Sequence, residues 1–183
     1  MRHPPYHLRP NKAVDRLLLL EALRRLERME SLSSYTYYGL GGPYLEEFRL
    51  LYEFCPQMHL VSIESDQDTY KRQKFHIPCD NLSLINDDFK SFLAKYEPRD
   101  IKSIFWLDYT GLTYGDFEDF MRVLSKVSAN SIVKISLRAE AKDYFEKEEI
   151  FKERFDAVLP AGSAHLPRAL KDYAAFLQRM LRI

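Results

Sequence analysis

The sequence predicts an α/β fold, an open and mostly parallel sheet with helices on both faces. Three observations predict it. Short apolar runs alternate with amphipathic stretches in β, α, β, α order, which is the pattern of strands joined by helical crossovers. Glycines and acids stand where the apolar runs end, as they do at the carboxyl ends of parallel strands. The length, 183 residues, suits one domain with one core and is too short for two independent ones.

The elements follow in order. A Pro-rich start (Pro4, Pro5, Pro10) leads into a helix capped by Asn11 and running to about Glu30. Its apolar block Leu17 to Leu20 is flanked by Arg16 and Glu21 and continues as Ala22, Leu23 and Leu26, the spacing of an amphipathic helix. Tyr35 to Tyr38 reads as a strand, Tyr44 to Phe54 as a helix, His59 to Ile63 as a strand and Gln67 to Lys74 as a short helix. Leu82 to Ile85 is a strand, Phe89 to Lys95 a helix, Ile101 to Leu107 an apolar strand, Phe117 to Val127 a helix and Ser131 to Leu137 a strand. A charged helix around Ala141 to Lys152, a strand at Phe155 to Leu159 and a last helix from about Pro167 to Leu181 complete the chain. No repeat or linker divides it, so 1–183 is read as a single domain: a helical lead-in at 1–34, a ligand-binding core at 35–137 and a helical C-terminal part at 138–183.

Composition narrows the function. The 27 basic residues cancel the 27 acidic ones, so no overall field draws in nucleic acid or an anionic membrane. Clusters such as Arg24, Arg25 and Arg28 leave nucleic-acid binding open but read equally as a solvated helix face. Two cysteines, Cys55 and Cys79, do not make a metal cluster, and His76 with Cys79 is a lone spaced pair, so no metal site is expected. The N-terminus lacks the apolar region of a signal peptide or span, which points to a cytoplasmic protein. In the last helix Leu170, Tyr173, Ala174, Leu177 and Leu181 share one apolar face, which must bury itself on a protein partner, on a second copy of the chain, or back on its own sheet.

Four strand ends carry chemistry. After the first strand, Gly39-Leu40-Gly41-Gly42-Pro43 lets the backbone turn and approach a ligand closely, or forms an ordinary turn. After the second, Glu64 stands 23 residues beyond Gly41, where a carboxylate can accept from the two hydroxyls of a ribose or simply end the strand in solvent. After the third, Asp88-Phe89 pairs an acid for an amino group with a ring to cover a base, and the same acid could cap the next helix. After the fourth, Asp108-Tyr109-Thr110-Gly111 puts a carboxylate at the end of a buried strand, costly unless hydrogen-bonded or functional.

Taken in order, these segments resemble the class I S-adenosylmethionine-dependent methyltransferases, a Rossmann-like family, over about residues 35 to 137. Tyr38-Gly39-Leu40-Gly41-Gly42 is similar to the glycine motif, Glu64 to the ribose-binding acid, Asp88-Phe89 to the adenine-side pair and Asp108-Tyr109 to the catalytic-region motif. Leu8-Arg9-Pro10-Asn11-Lys12 is similar in location to the segment that closes over the methionine end. The resemblance implies S-adenosylmethionine as cofactor, with its methyl group near Asp108, and transfer to an oxygen or nitrogen acceptor. Asp108 would take a hydrogen bond or proton from the acceptor and Tyr109 would shape the pocket. A ring face of Tyr37 or Tyr38 would meet the sulfonium or belong to the core.

The chain departs from the family pattern in four places. The acid usual two residues before the first glycine is replaced by Tyr37, which removes the usual anchor for the methionine amino group. Pro43 stands for the third glycine, and Tyr109-Thr110-Gly111 is not the proline-proline-aromatic sequence of enzymes that methylate bases. After Leu137 one further strand is predicted where the family has an antiparallel hairpin, so the C-terminal end is shortened or completed by another chain. Two other readings stay open. A non-catalytic subunit would keep the fold and bind a nucleotide-type ligand or a protein. An NAD-dependent oxidoreductase would use the glycine turn and Glu64, although Tyr44 replaces the third glycine of its motif.

Overall fold

A computed structural model describes residues 10–98, 101–138, 148–160 and 165–181. Strands β1 (Tyr35–Gly39), β2 (His59–Ile63), β3 (Leu82–Ile85), β4 (Lys102–Asp108) and β5 (Ile132–Ser136) form one sheet in the order β3-β2-β1-β4-β5. β1 runs parallel to β2 and β4, and β2 parallel to β3. Among the described residues the helices are α1 (Pro10–Glu27), α2 (Glu46–Phe54), α3 (Gln67–His76), α4 (Phe89–Lys95), α5 (Tyr114–Lys126), α6 (Glu148–Phe155) and α7 (Leu170–Met180). The chain steps outward from β1 to β3 and then crosses to β4, so the strand order reverses between β1 and β4. Open parallel sheets bind ligands at the carboxyl ends beside such a reversal.

Two compact units divide the chain, Met1–Leu107 with Arg122–Lys134, and Asp108–Met121 with Ile135–Ile183. In the first, β1 shows why both sheet faces are covered, because successive strand side chains point to opposite faces. Tyr37 packs edge-on to Phe48 of α2 at 5.5 Å, whereas Tyr38 meets Phe92 of α4 at 5.7 Å and Tyr96 just beyond it at 5.5 Å. α2 therefore covers one face and α4 the other. Leu19, Leu20 and Leu23 of α1 join Phe48, Leu60 and Trp106 in the core of the α2 face. Full burial of each such side chain contributes about 1.5–3 kcal/mol. The same helix is tied to β5 by Asp15, which lies 2.8 Å from the Lys134 ammonium, and that ammonium sits 3.5 Å over the Trp106 ring.

The second unit has an interior built mainly from rings: Phe117, Phe151, Phe155, Tyr173 and Phe176 pack with Leu166, Leu177 and Met180. Phe151 and Phe155, one helical turn apart, stack at 4.3 Å. Tyr173 and Leu177 are buried in this cluster, so the apolar face of the last helix, open in sequence to a partner, is filled from its own chain.

Most predicted elements appear within a few residues of their predicted bounds, and the differences have local causes. α1 ends at Glu27 because the amides of Met29 and Glu30 both turn back to the Leu26 carbonyl, at 2.8 and 2.9 Å. α2 starts at Glu46 because Leu45 adopts a left-handed backbone, φ 56°. α5 starts three residues early because Thr113 and Asp116 cap each other: the Thr113 amide donates to the Asp116 carboxylate at 2.7 Å, and the Asp116 amide donates to the Thr113 hydroxyl at 3.3 Å. The strand predicted at Phe155 to Leu159 is absent; Phe155 ends α6 and Asp156–Val158 forms a 3₁₀ turn. Its apolar residues repeat at helical spacing with Phe151, and the ring of Phe155 packs on Phe117 at 5.4 Å. The charged helix predicted from Ala141 is seen from Glu148 onward, and 139–147 lie outside the described residues, as do Leu8 and Arg9. No helix among the described residues is long and apolar enough to cross a membrane.

Candidate functional site

The glycine turn is shaped by close approach. Gly39 ends β1, paired with Ser62 of β2 and Trp106 of β4. A Cβ on Gly39 would stand 2.4 Å from Oε1 of Glu47, and one on Gly41 would stand 2.2 Å from the Ser62 hydroxyl and 2.7 Å from the Gln73 amide nitrogen. At Gly41 the neighbours are two fully buried side chains with little room to give, so that position favours glycine, whereas at Gly39 the nearest atom is the end of a flexible glutamate that can shift. Gly42 faces open space. The turn is pinned from beneath: Gln73 of α3, fully buried, donates to the Gly41 carbonyl at 2.8 Å and to that of Gly42 at 3.4 Å, and accepts from the Ser62 hydroxyl at 3.3 Å.

Tyr38, the candidate before the turn, stacks on Phe105 at 4.5 Å with planes 9° apart. Burial first, and Tyr96 second, push its phenol up to about 12, so it stays neutral at physiological pH. Tyr37 points to the other face, where its hydroxyl donates to Oε1 of Glu47 at 3.0 Å. The position that the resemblance leaves without an acid is thus reached by an acid from α2.

Glu64 follows β2 and is half-buried. Its Oε1 accepts from the Asp66 amide at 2.8 Å, and its backbone bonds to Ile85 and Asn86 at the end of β3. Burial raises its pKa, and the Asp66 amide partly offsets that rise. Asp66 is the cap of α3, accepting from the Thr69 amide at 2.8 Å. Asp88 caps α4 through the Ser91 amide at 3.0 Å, and hydrogen bonding from the Ser91 side chain first and this amide second holds its carboxyl below the usual range. Phe89, the first residue of α4, lies edge-on to Phe105 at 6.4 Å and tilted to Phe92 at 6.1 Å, joining the rings around Tyr38. The first unit therefore gathers Tyr38, the glycine turn, Glu64, Asp88 and Phe89 at the carboxyl ends of β1, β2 and β3.

The second unit opens with the other two candidates. Asp108 is the last residue of β4, two beyond the Trp106 that pairs with Gly39, and is half-buried. Tyr109 donates through its amide to the Ser136 carbonyl at 3.1 Å and through its hydroxyl to Asp119 of α5 at 3.1 Å. Burial, then the neighbouring Asp119 carboxyl, drives the Tyr109 phenol far above its ordinary range, so it keeps its proton. Asp119, only 5% exposed, was not singled out in the sequence, although it lies one turn before the buried Val123. Glu47 and Gln73 carried no sequence signal. One reads as a first-turn helix acid and the other as part of a polar helix, and their partners lie up to 32 residues away.

Comparison with known proteins bears on the family and the fold. The profile of a protein family described as "Putative O-methyltransferase" matches residues 4–183. No curated protein matches the chain. Among solved structures, a probable spermidine synthase from Corynebacterium glutamicum is 18% identical with a TM-score of 0.57, covering 77% of this chain and 54% of its own. The cofactor-bound protein Rv0187 from MTB is 9% identical with a TM-score of 0.52, covering 97% and 70%. A putative caffeoyl-CoA O-methyltransferase from Staphylococcus aureus is 12% identical with a TM-score of 0.51, covering 87% and 72%. At these identities the likeness is one of fold, and the chain spans about half the length of the spermidine synthase.

Proposed function

We propose, from the premise that the chain belongs to the O-methyltransferase family, that it binds S-adenosylmethionine and transfers a methyl group to the oxygen of an acceptor molecule. The family match across residues 4–183 carries this reading, and it favours oxygen over nitrogen as the attacked atom. It also supports treating the chain as a single functional domain. Free thiols at Cys55 and Cys79 suit a reducing, cytoplasmic location.

The residues present fit the cofactor. Glu64 offers a half-buried carboxylate whose raised pKa marks incomplete solvation, and two ribose hydroxyls would supply donors that the protein gives only in part. Asp88 caps α4 through Oδ1 and would accept an adenine amino group through Oδ2, with Phe89 against the base. Gly42 faces open space, which leaves the turn approachable, and Gly39 and Gly41 hold its shape. Tyr38 would add a neutral ring to the same wall.

When bound, S-adenosylmethionine supplies a methyl group activated on a sulfonium. Transfer to an acceptor hydroxyl would leave that hydroxyl's proton to be taken by a side chain of this protein. Of the two candidates at the end of β4, Tyr109 holds its own proton and already donates it to Asp119, so it is unsuited to take another. Asp108 is the residue left to accept it, as a positioned general base. Tyr109 then acts as a wall of fixed orientation.

Calorimetric titration of one preparation with S-adenosylmethionine, S-adenosylhomocysteine and NAD tests the proposal. Heat of binding is expected with the first two and none with the third. Binding of NAD alone would replace this reading with the oxidoreductase one.

A further inference from the structure

We propose that the outer surface of α3, with the residue that leads into α2, is a docking site for single-stranded nucleic acid, its rings taking the bases and its cations the phosphates; this goes beyond the cofactor reading and does not depend on it. Phe75, in the last turn of α3, is 85% exposed, and Tyr44 and Ile77 are 39% and 45% exposed. Single exposed apolar residues are ordinary, but these are joined. The rings of Tyr44, His76 and Phe75 form a row with neighbouring centroids 5.1 and 5.0 Å apart, and Phe75 is its most open member. Arg49 of α2 ties the row together, donating to the His76 carbonyl at 2.7 Å and to the Tyr44 carbonyl at 3.3 Å. Rings fixed before binding lose little entropy when a flat base stacks on them.

Charge selects the ligand. The chain as a whole is neutral, yet α3 carries Lys71, Arg72 and Lys74, all exposed, against the single acid Asp68. Lys71 is answered by Asp68 at 3.2 Å, and Arg72 helps to hold down the carboxyl of Asp66. Lys74 lies 4.6 Å over the Tyr70 ring and Arg49 bonds to carbonyls, so among the described residues neither is ion-paired with a carboxylate. Two uncompensated cations therefore stand among exposed rings, the combination that tracks a phosphate backbone while bases stack. A duplex offers the charge but keeps the faces of its bases covered by their neighbours. An acidic peptide would answer the cations and leave Phe75 in water.

Fluorescence anisotropy of the full chain with labelled single strands of RNA and of DNA, each of about 10 nucleotides, tests the site. A single strand should bind more tightly than a duplex of the same sequence, and its affinity should fall as salt rises. Phe75→Ala should weaken binding about 10-fold or more, and Phe75→Trp should retain it because a ring is kept. Lys74→Ala should cost about two- to fivefold and make the salt dependence shallower. Affinity for S-adenosylhomocysteine should be the same in all three variants as in the parent. A parent that binds the single strand but not S-adenosylhomocysteine would sink the cofactor reading and support this one. No binding of either single strand at low salt, binding that Phe75→Ala leaves unchanged, or equal affinity for polyglutamate, the mark of a site for acidic protein, would overturn the proposal. So would a dimer in sedimentation that Phe75→Ala dissolves while no single strand binds, since the face would then belong to a second copy of the chain.

Discussion

Buried polar groups differ between the two compact units. In the unit that carries the glycine turn, Ser62 and Gln73 are buried, neutral and bonded to each other, and their remaining donors go to the carbonyls of Gly41 and Gly42. Among the described residues of the unit that begins at Asp108, the buried polar residue is an acid, Asp119, which accepts from the Tyr109 phenol. A neutral amide bonded to main chain fixes the path of the backbone without changing any charge. A buried carboxyl beside a phenol fixes a protonation state instead. The first unit thus specifies shape at the cofactor candidates, and the second specifies where a proton cannot go.

The largest effect should come from the end of β4. Asp108→Asn keeps the side-chain shape and is expected to lower turnover by roughly 10² to 10⁴ while leaving S-adenosylhomocysteine affinity unchanged. Methyl transfer at the parental rate by a variant with normal Tm and normal affinity would end the division between the units.

A smaller effect, of the opposite kind, is expected at the end of β2. Glu64→Gln should weaken S-adenosylhomocysteine binding by roughly 10- to 100-fold through weaker bonds to the ribose hydroxyls. Its stability should move the other way. Because burial raises the Glu64 pKa, the fold favours its protonated form. The stability gained from that preference is full below the ordinary carboxylate pKa and is lost as pH rises through the raised one. At pH 7 the charged carboxylate is a burden that glutamine lacks, so the variant should melt above the parent there, with the gap closing in acid. A gap independent of pH would show that Glu64 is not under electrostatic strain.

The smallest effect belongs to the end of β3. Asp88→Ala removes the α4 cap and should lower Tm by about 2–4 °C at pH 7. Here the pKa is held down by the Ser91 bonds, so the contribution is present above the ordinary carboxylate pKa and fades as pH falls through the lowered one. The deficit should therefore shrink in acid, as the Glu64→Gln advantage also does. A deficit that persists at low pH would assign Asp88 a role other than an ionised cap.

Element type was legible where a pattern was local. β3 and α4 match their predicted bounds because an apolar run ends at Ile85 and Asp88 stands three residues before the amide it caps. The Phe155 to Leu159 segment was misread because a few apolar residues fit either period, and only contact with Phe151 and Phe117 makes it helical. Among the candidate residues, the positions of Glu64, Asp88 and Asp108 at or just beyond strand ends were legible in the sequence. Glu47, Gln73 and Asp119 could not be assigned, because what marks them is a partner and not a neighbour.

By itself the sequence determined the alternation of strands and helices, the parallel sheet, and the order in which glycine turn and acids meet its carboxyl edge. These follow from hydrophobic period and from turn and cap chemistry, which act over a few residues. Tertiary structure decided which acids are buried, which are caps and which carboxyl touches which phenol. It also decided that the apolar face of α7 closes on its own unit. Such outcomes depend on desolvation and on hydrogen bonds between groups distant in the chain, as with Gln73 and Gly41, and no spacing in the sequence encodes them.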